Sequence, residues 1–226
     1  MEAAPEARAL FIRRTYTHLA MAILAFMGLE IIIFQSGLAQ AIAGTLLGHG
    51  GVGWLVVLGV FMVVSWIADK WAHSTTSIGI QYIGLSVYVL AEAIIFVPLL
   101  YFAAAFAKPD VIPMAAIITG LLFLGLTVTA FTTGKNFSFL GGILKIGSFV
   151  ALGVIVASCI FGFSLGLLFS SVMVAFAAGA ILYTTSNIIH EYNTDQHVAA
   201  SLSLFASVAL LFWYVLRILL AIARRA

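Results

Sequence analysis

Of the chain's 226 residues, 64% are apolar and 8% charged, and the mean hydropathy is +1.20. Soluble domains run at about 45–50% apolar and about 25% charged, and ten Lys+Arg with eight Asp+Glu cannot clothe a water-exposed surface of this size. The composition excludes a soluble globular domain. The thin net charge of +2 excludes a basic nucleic-acid-binding face. The partner this chain requires is the lipid bilayer.

In hydrocarbon every backbone N–H and C=O must be paired within the protein, which leaves helices or closed barrels. Barrel strands of about ten residues alternate apolar and polar positions. The apolar runs here last twenty residues or more without alternation, so the fold class is an all-α integral membrane protein.

Met1–Arg14 (residues 1–14) reads as a polar, basic N-terminal tail, and residues 15–226 as a single transmembrane domain. The first run, 15–34, has about the 20 residues a spanning helix needs and carries Glu30. Signal-peptide cores are shorter and uncharged, so this run is retained as a span. Further runs fall at 52–68, 77–106, 111–131, 139–162, 164–189 and 198–223, giving a seven-transmembrane-helix bundle. The connectors are short, and the break near Gly162–Phe163 is almost absent. With a cytoplasmic N-terminus, that side holds Arg8, Arg13, Arg14, Lys70 and Lys135, against Lys108, Arg224 and Arg225 on the other. Five cations against three favour this orientation. Were the fifth and sixth runs one span, the C-terminus would be cytoplasmic instead. Small residues such as Gly141, Gly142, Gly147, Ala178 and Gly179 suit close helix packing.

A charge within a span is costly, so each one needs a reason. Lys145 and Arg217 lie near span ends and are expected to snorkel toward the headgroups, and Glu30 is near enough to an end to do the same. Glu92 is different: it sits mid-run, with no cation close in sequence, six residues before the helix-distorting Pro98. It is read either as the lining of an interior polar path or as a neutral structural carboxyl. The sixth run ends in Thr184, Thr185, Ser186 and Asn187. On the seventh, Ser203, Ser207, Tyr214 and Arg217 fall roughly on one helical face. Glu92, Thr184, Asn187, Ser203 and Ser207 form the candidate interior path, although Ser and Thr can also bond their own helix carbonyls. The five histidines are scattered, the lone Cys159 cannot form an internal disulfide, and no nucleophile, metal or phosphate-loop motif occurs. No catalysis, no metal site and no cofactor are expected.

Three segments together carry a resemblance: Phe11-Ile-Arg-Arg-Thr-Tyr-Thr-His-Leu-Ala20, Thr132-Thr-Gly-Lys-Asn-Phe-Ser-Phe-Leu-Gly-Gly142 and Gly179-Ala-Ile-Leu-Tyr-Thr-Thr-Ser-Asn-Ile-Ile-His190. With Glu92 and Pro98 they resemble the Bax inhibitor-1 (transmembrane BAX inhibitor motif) family, especially its bacterial YccA-like branch. Asn136 stands where the family usually has Asp. The resemblance runs from Phe11 to about Arg217. It implies a seven-helix bundle with the last helix central, a bacterial inner-membrane location, and modulation of membrane proteostasis through the FtsH protease, with the N-terminal tail as handle. It equally implies a pH-sensitive calcium or ion leak pathway. In such channels an acidic pair on the sixth and seventh helices, with a basic residue on the second, gates the pore. The matching acidic positions are Thr184 and Ser207, and 52–68 holds no cation. That loss removes a proton-sensitive latch and the anionic oxygens that calcium prefers.

Overall fold

The structure is a computed structural model that describes residues 5–48, 50–74 and 77–223. Eight helices follow in order: α1 Pro5–Gln35, α2 Leu38–Leu47, α3 Gly50–Ala72, α4 Ile78–Phe106, α5 Val111–Thr133, α6 Leu140–Phe161, α7 Leu167–His190 and α8 His197–Ala223. Among the described residues there is no strand. Seven of the helices, 22 to 31 residues long, have the length and apolarity to cross a membrane. At 1.5 Å per residue they measure about 33–46 Å, enough for a hydrocarbon core of about 30 Å.

Two expected boundaries change. The stretch expected as a tail is helical from Pro5 and continuous with the first span. Proline suits the first helical position, where its missing N–H has no intrahelical partner to lose. Phe11, Thr15, Leu19 and Ala22 then form one buried stripe at helical spacing. Met1–Ala4, like His49, Arg224 and Arg225, lie outside the described residues. The second change is α2, which occupies the expected connector between the first two spans. Gly37, at φ 77°, turns the chain in a conformation that glycine tolerates. Ala39 and Ala43 then pack beside Val97 of α4. Ten residues rise only about 15 Å, too short to cross, so α2 lies against the bundle.

The near-absent break is real. Gly162, at φ 74°, ends α6 with its N–H donating to Ser158 O at 2.9 Å, and α7 begins at Leu167. The fifth and sixth expected spans are therefore two helices.

Contacts between distant segments fix which ends lie together. Arg8 Nη1 donates to Tyr192 O at 2.6 Å, and the His73 ring stacks on Tyr192 with centroids 6.4 Å apart. The start of α1, the end of α3 and the α7–α8 connector thus share one end of the bundle. A Cβ added to Gly51 would stand 2.4 Å from Cys159 O, so the start of α3 and the end of α6 meet at the other end.

The last helix is central. α8 packs against α1, α3, α4, α5 and α7 and buries residues along its whole length, from His197 to Leu220. α4 packs against α1, α2, α3, α5 and α8 and completes the core. By contrast α6 buries none of its residues and touches only α3 and α7, leaving its outer side to lipid.

Candidate functional site: an interior cavity around Glu92

α3, α4, α6, α7 and α8 line a partly open cavity of about 580 Å³. Its polar lining is Tyr88 and Glu92 from α4, Ser158 and Cys159 from α6, and Ser207, Tyr214 and Arg217 from α8. Trp54, Leu58 and Phe61 of α3 and Phe96 and Trp213 supply apolar walls. Leu165, in the α6–α7 connector, reaches the lining at the Arg217 end.

Glu92 is 7% exposed, and its side-chain hydrogen-bond partner is Tyr88, one turn earlier on the same helix. Residues four apart on a helix stand one above the other, which is how α4 brings these two groups together. The Ser207 hydroxyl donates to Ser203 O at 2.9 Å. That bond uses its proton within α8 and leaves its lone pairs facing the cavity.

Arg217 departs from expectation. Its head group is held by the protein: it lines the cavity, and Nη2 donates to Leu165 O of the α6–α7 connector at 3.2 Å. Its Cζ stands 6.0 Å from the Tyr214 ring centroid. The carbonyl and the ring together give the half-buried guanidinium partners that a headgroup would otherwise supply. Glu30 also departs from expectation. At 8% exposure it is buried inside the bundle wall. Lys145 is exposed, as expected.

The five candidate residues are therefore partly gathered. Glu92 and Ser207 line one cavity, whereas Thr184 is buried on α7, one turn past Ala180 in the lining. Asn187 is half-buried and outside the lining; its carbonyl accepts the N–H of Glu191 and Tyr192 at 2.8 and 2.9 Å, which ends α7. Ser203 bonds Tyr192 Oη at 3.0 Å, one turn beyond the cavity toward the α7–α8 connector.

That connector end is a cluster of its own. Arg8 and Phe11 of α1, with ring centroids of Phe11 and Tyr192 6.5 Å apart, hold Tyr192 from one side, and His73 covers it from another. The Asp69 carboxylate, 3.3 Å from His73 Nδ1, raises the His73 pKa above its usual value, chiefly through their hydrogen bond. Burial pushes the Tyr192 phenol upward as well. A further tie joins the Thr132–Gly142 segment to α7: the Phe137 N–H donates to Ser186 Oγ at 2.8 Å, and the Ser138 N–H to Asn136 Oδ1 at 2.8 Å.

The polar lining residues that the sequence reading left out of the path are Tyr88, Ser158, Cys159, Tyr214 and Arg217. The signal was present in part, since Tyr88 lies four residues before Glu92 and Tyr214 and Arg217 fall on the face of Ser207. Only the fold shows that the face points inward at Arg217.

With this geometry in place, comparison with known proteins is informative. The family model described as "Inhibitor of apoptosis-promoting Bax1" matches residues 8–225. The chain belongs to the Bax inhibitor-1 family. This member is 33% identical over 182 residues to the Escherichia coli protein named "Modulator of FtsH protease YccA", covering 79% of this chain and 80% of that one. An uncharacterised protein of Pseudomonas aeruginosa is 40% identical over 110 residues, which span about half of each chain (48% and 49%). The Arabidopsis thaliana "Protein LIFEGUARD 4" is 29% identical over 95% of this chain and 85% of its own. No solved structure matches. The Bax inhibitor-1 assignment and the seven long apolar helices together make this a multi-pass membrane protein.

Proposed function

We propose that this Bax inhibitor-1 family protein is an inner-membrane modulator of an FtsH-type, membrane-anchored AAA+ protease, with its N-terminus in the cytoplasm, acting as a binding partner and not as a catalyst. The observation that carries this reading is the 33% identity, over 79% of the chain, to the Escherichia coli protein named for that role. The outer side of α6 supports it, because a helix with no buried residue leaves a lateral face for a partner's span. The docked start of α1 qualifies how the N-terminus serves as a handle. Arg8 and Phe11 are built into the bundle, so a protease pulling there must first break the contacts with Tyr192. Expressed in Escherichia coli lacking its own modulator, the chain is expected to co-purify with the protease and lengthen the half-life of a membrane substrate in a pulse-chase. Unchanged turnover together with no co-purification would overturn this reading.

The cavity favours a second reading, an ion leak pathway through the bundle. It places one carboxyl, Glu92, among the hydroxyls of Tyr88, Ser207 and Tyr214, with Arg217 toward one end. A calcium site needs six to eight oxygens, several of them anionic, and one carboxyl suits a proton or a monovalent cation better. In liposomes containing only this chain, flux is expected to differ between two pH values, and Glu92→Gln is expected to abolish that difference. Identical flux and identical pH response in the variant would rule out Glu92 as the titrating group of the pathway, and no flux from the parent chain would rule out the pathway itself.

A further inference from the structure

A second cavity, of about 340 Å³, lies on the opposite side of Phe96, between α1, α4, α5 and α8. Phe26, Phe96, Phe123, Phe205 and Phe212 dominate its walls. Its volume falls at the lower end of the range for pockets that enclose small molecules. α1 and α5 flank it without packing against each other near Glu30. The ring contacts that join them, Tyr16 with Phe123 and Phe131, lie toward the other end of α1. Met27 and Ile31, both about half exposed, form a rim that faces lipid. The cavity is therefore open toward the hydrocarbon, with Phe96 and Ala209 shared between its wall and that of the Glu92 cavity.

Two polar side chains stand in this apolar lining, and neither has a partner. Glu30 is 8% exposed, and neither Oε1 nor Oε2 makes a hydrogen bond; Thr119 is 4% exposed, and its Oγ1 makes none. The Thr119 case is telling because of its own helix. Thr129, Thr132 and Thr133 of α5 each donate to the carbonyl four residues back, at 2.7–2.8 Å. Thr119 forgoes that bond, as does Thr127 beside Tyr16, but of the two only Thr119 lines the cavity. Buried polar groups in folded proteins are nearly always paired, so two orphans sharing one cavity need an explanation.

Their placement and chemistry point to a ligand. Glu30 is five residues from the end of α1 and Thr119 eight from the start of α5, about 7.5 and 12 Å below the same end of the bundle at 1.5 Å per residue. Ile23 and Phe123 lie deeper. A molecule with a polar head at the level of Glu30 and an apolar body directed toward the midplane matches this gradient. The unfilled capacity is mainly for accepting: two carboxyl oxygens and the lone pairs of a hydroxyl, whose own proton is also unpaired. An ammonium group carries three donors and no acceptor, whereas an alcohol brings one donor and a carboxylate none. Phenylalanine faces add attraction for a cation.

We propose that this lateral cavity binds a lipid-soluble primary amine, with its aliphatic body among the phenylalanine rings and its head held by Glu30 and Thr119. The test is saturable binding of tritiated dodecylamine to the full chain in non-ionic detergent micelles, with dodecanol and dodecanoate as competitors. Dodecanol is expected to compete about tenfold more weakly than unlabelled amine, equivalent to about 1.4 kcal/mol, and dodecanoate more weakly still. Glu30→Gln is expected to remove the preference for amine over alcohol. Gly120→Leu provides a second variant: Gly120 lines the cavity, and a Cβ there has no neighbour within 4 Å, so the added side chain fills the space without striking backbone. It is expected to abolish binding of amine and alcohol alike. The proposal is overturned if dodecanol competes equally, if Glu30→Gln keeps the amine preference, or if Gly120→Leu binds as the parent does. Equal competition would identify the cavity as a seat for acyl chains only.

Discussion

Phe11→Ala is expected to lower the stability of the bundle by about 3 kcal/mol, at the lower end of the range for truncating a fully buried phenylalanine. Phe11 is 1% exposed although it lies in the polar start of the chain. Its ring sits beside Tyr192, and the Arg8 guanidinium carbon stands 5.6 Å from its centroid. Removing the ring opens a void where α1 meets the α7–α8 connector and unseats Arg8 from the Tyr192 carbonyl. Thermal unfolding in detergent would register the loss, with Phe11→Leu expected to retain most of the stability. An unchanged midpoint for the alanine variant would mean that the start of α1 is not docked. The same packing bears on any truncation of Met1–Arg14: such a deletion removes a core residue along with the proposed protease handle, so loss of protease binding would need the point variant as its control.

Gly84→Val is expected to be the more severe substitution, costing about 3 kcal/mol or more and reducing the yield of folded protein. A Cβ on Gly84 would stand 2.5 Å from Ala68 O and 2.6 Å from Ala72 N. Both are backbone atoms of α3 and cannot rotate away, so α3 and α4 must separate. Because α3 carries Trp54, Leu58 and Phe61, its displacement also moves one wall of the Glu92 cavity. Gly59→Ala serves as the control, since a Cβ there meets nothing within 4 Å and alanine favours the helix. If Gly84→Val and Gly59→Ala unfold at the same temperature, the close approach of α3 and α4 is not what the structure describes.

The spans were legible in the sequence because lipid imposes a simple demand. Each crossing needs about twenty apolar residues, and no soluble surface competes with that pattern. α2 escaped notice because ten mostly apolar residues between glycines also read as a loop; the packing of Ala39 and Ala43 beside Val97 is a tertiary fact. The helical start of α1 was hidden by its charges, although Phe11, Thr15, Leu19 and Ala22 already mark one face at spacings of four, four and three. In the site, Glu92 stood out because it lies mid-run, where snorkelling is impossible. Arg217 and Glu30 lie near helix ends, where the same reasoning gives the bland answer. What decides otherwise is a neighbour distant in sequence: the Leu165 carbonyl folded over Arg217, and the phenylalanine rings gathered around Glu30. The serine stripe on α8 was visible as a face, but the division of Ser207 to the cavity and Ser203 to Tyr192 depends on how the α7–α8 connector returns.

The chain's one cysteine allows the central claim, a membrane-embedded bundle whose cavity around Glu92 and Arg217 admits water, to be tested without engineering. Cys159 is half-buried, has a free thiol, and lines the same cavity as Glu92 and Arg217. A thiolate is the reactive species, and it forms only where water reaches the sulfur. In native membrane vesicles, a membrane-impermeant cationic methanethiosulfonate reagent is expected to modify Cys159. A thiol that stays unmodified in the native membrane, yet reacts fully once the protein is denatured in detergent, would show a dry, lipid-filled space and contradict the polar interior cavity.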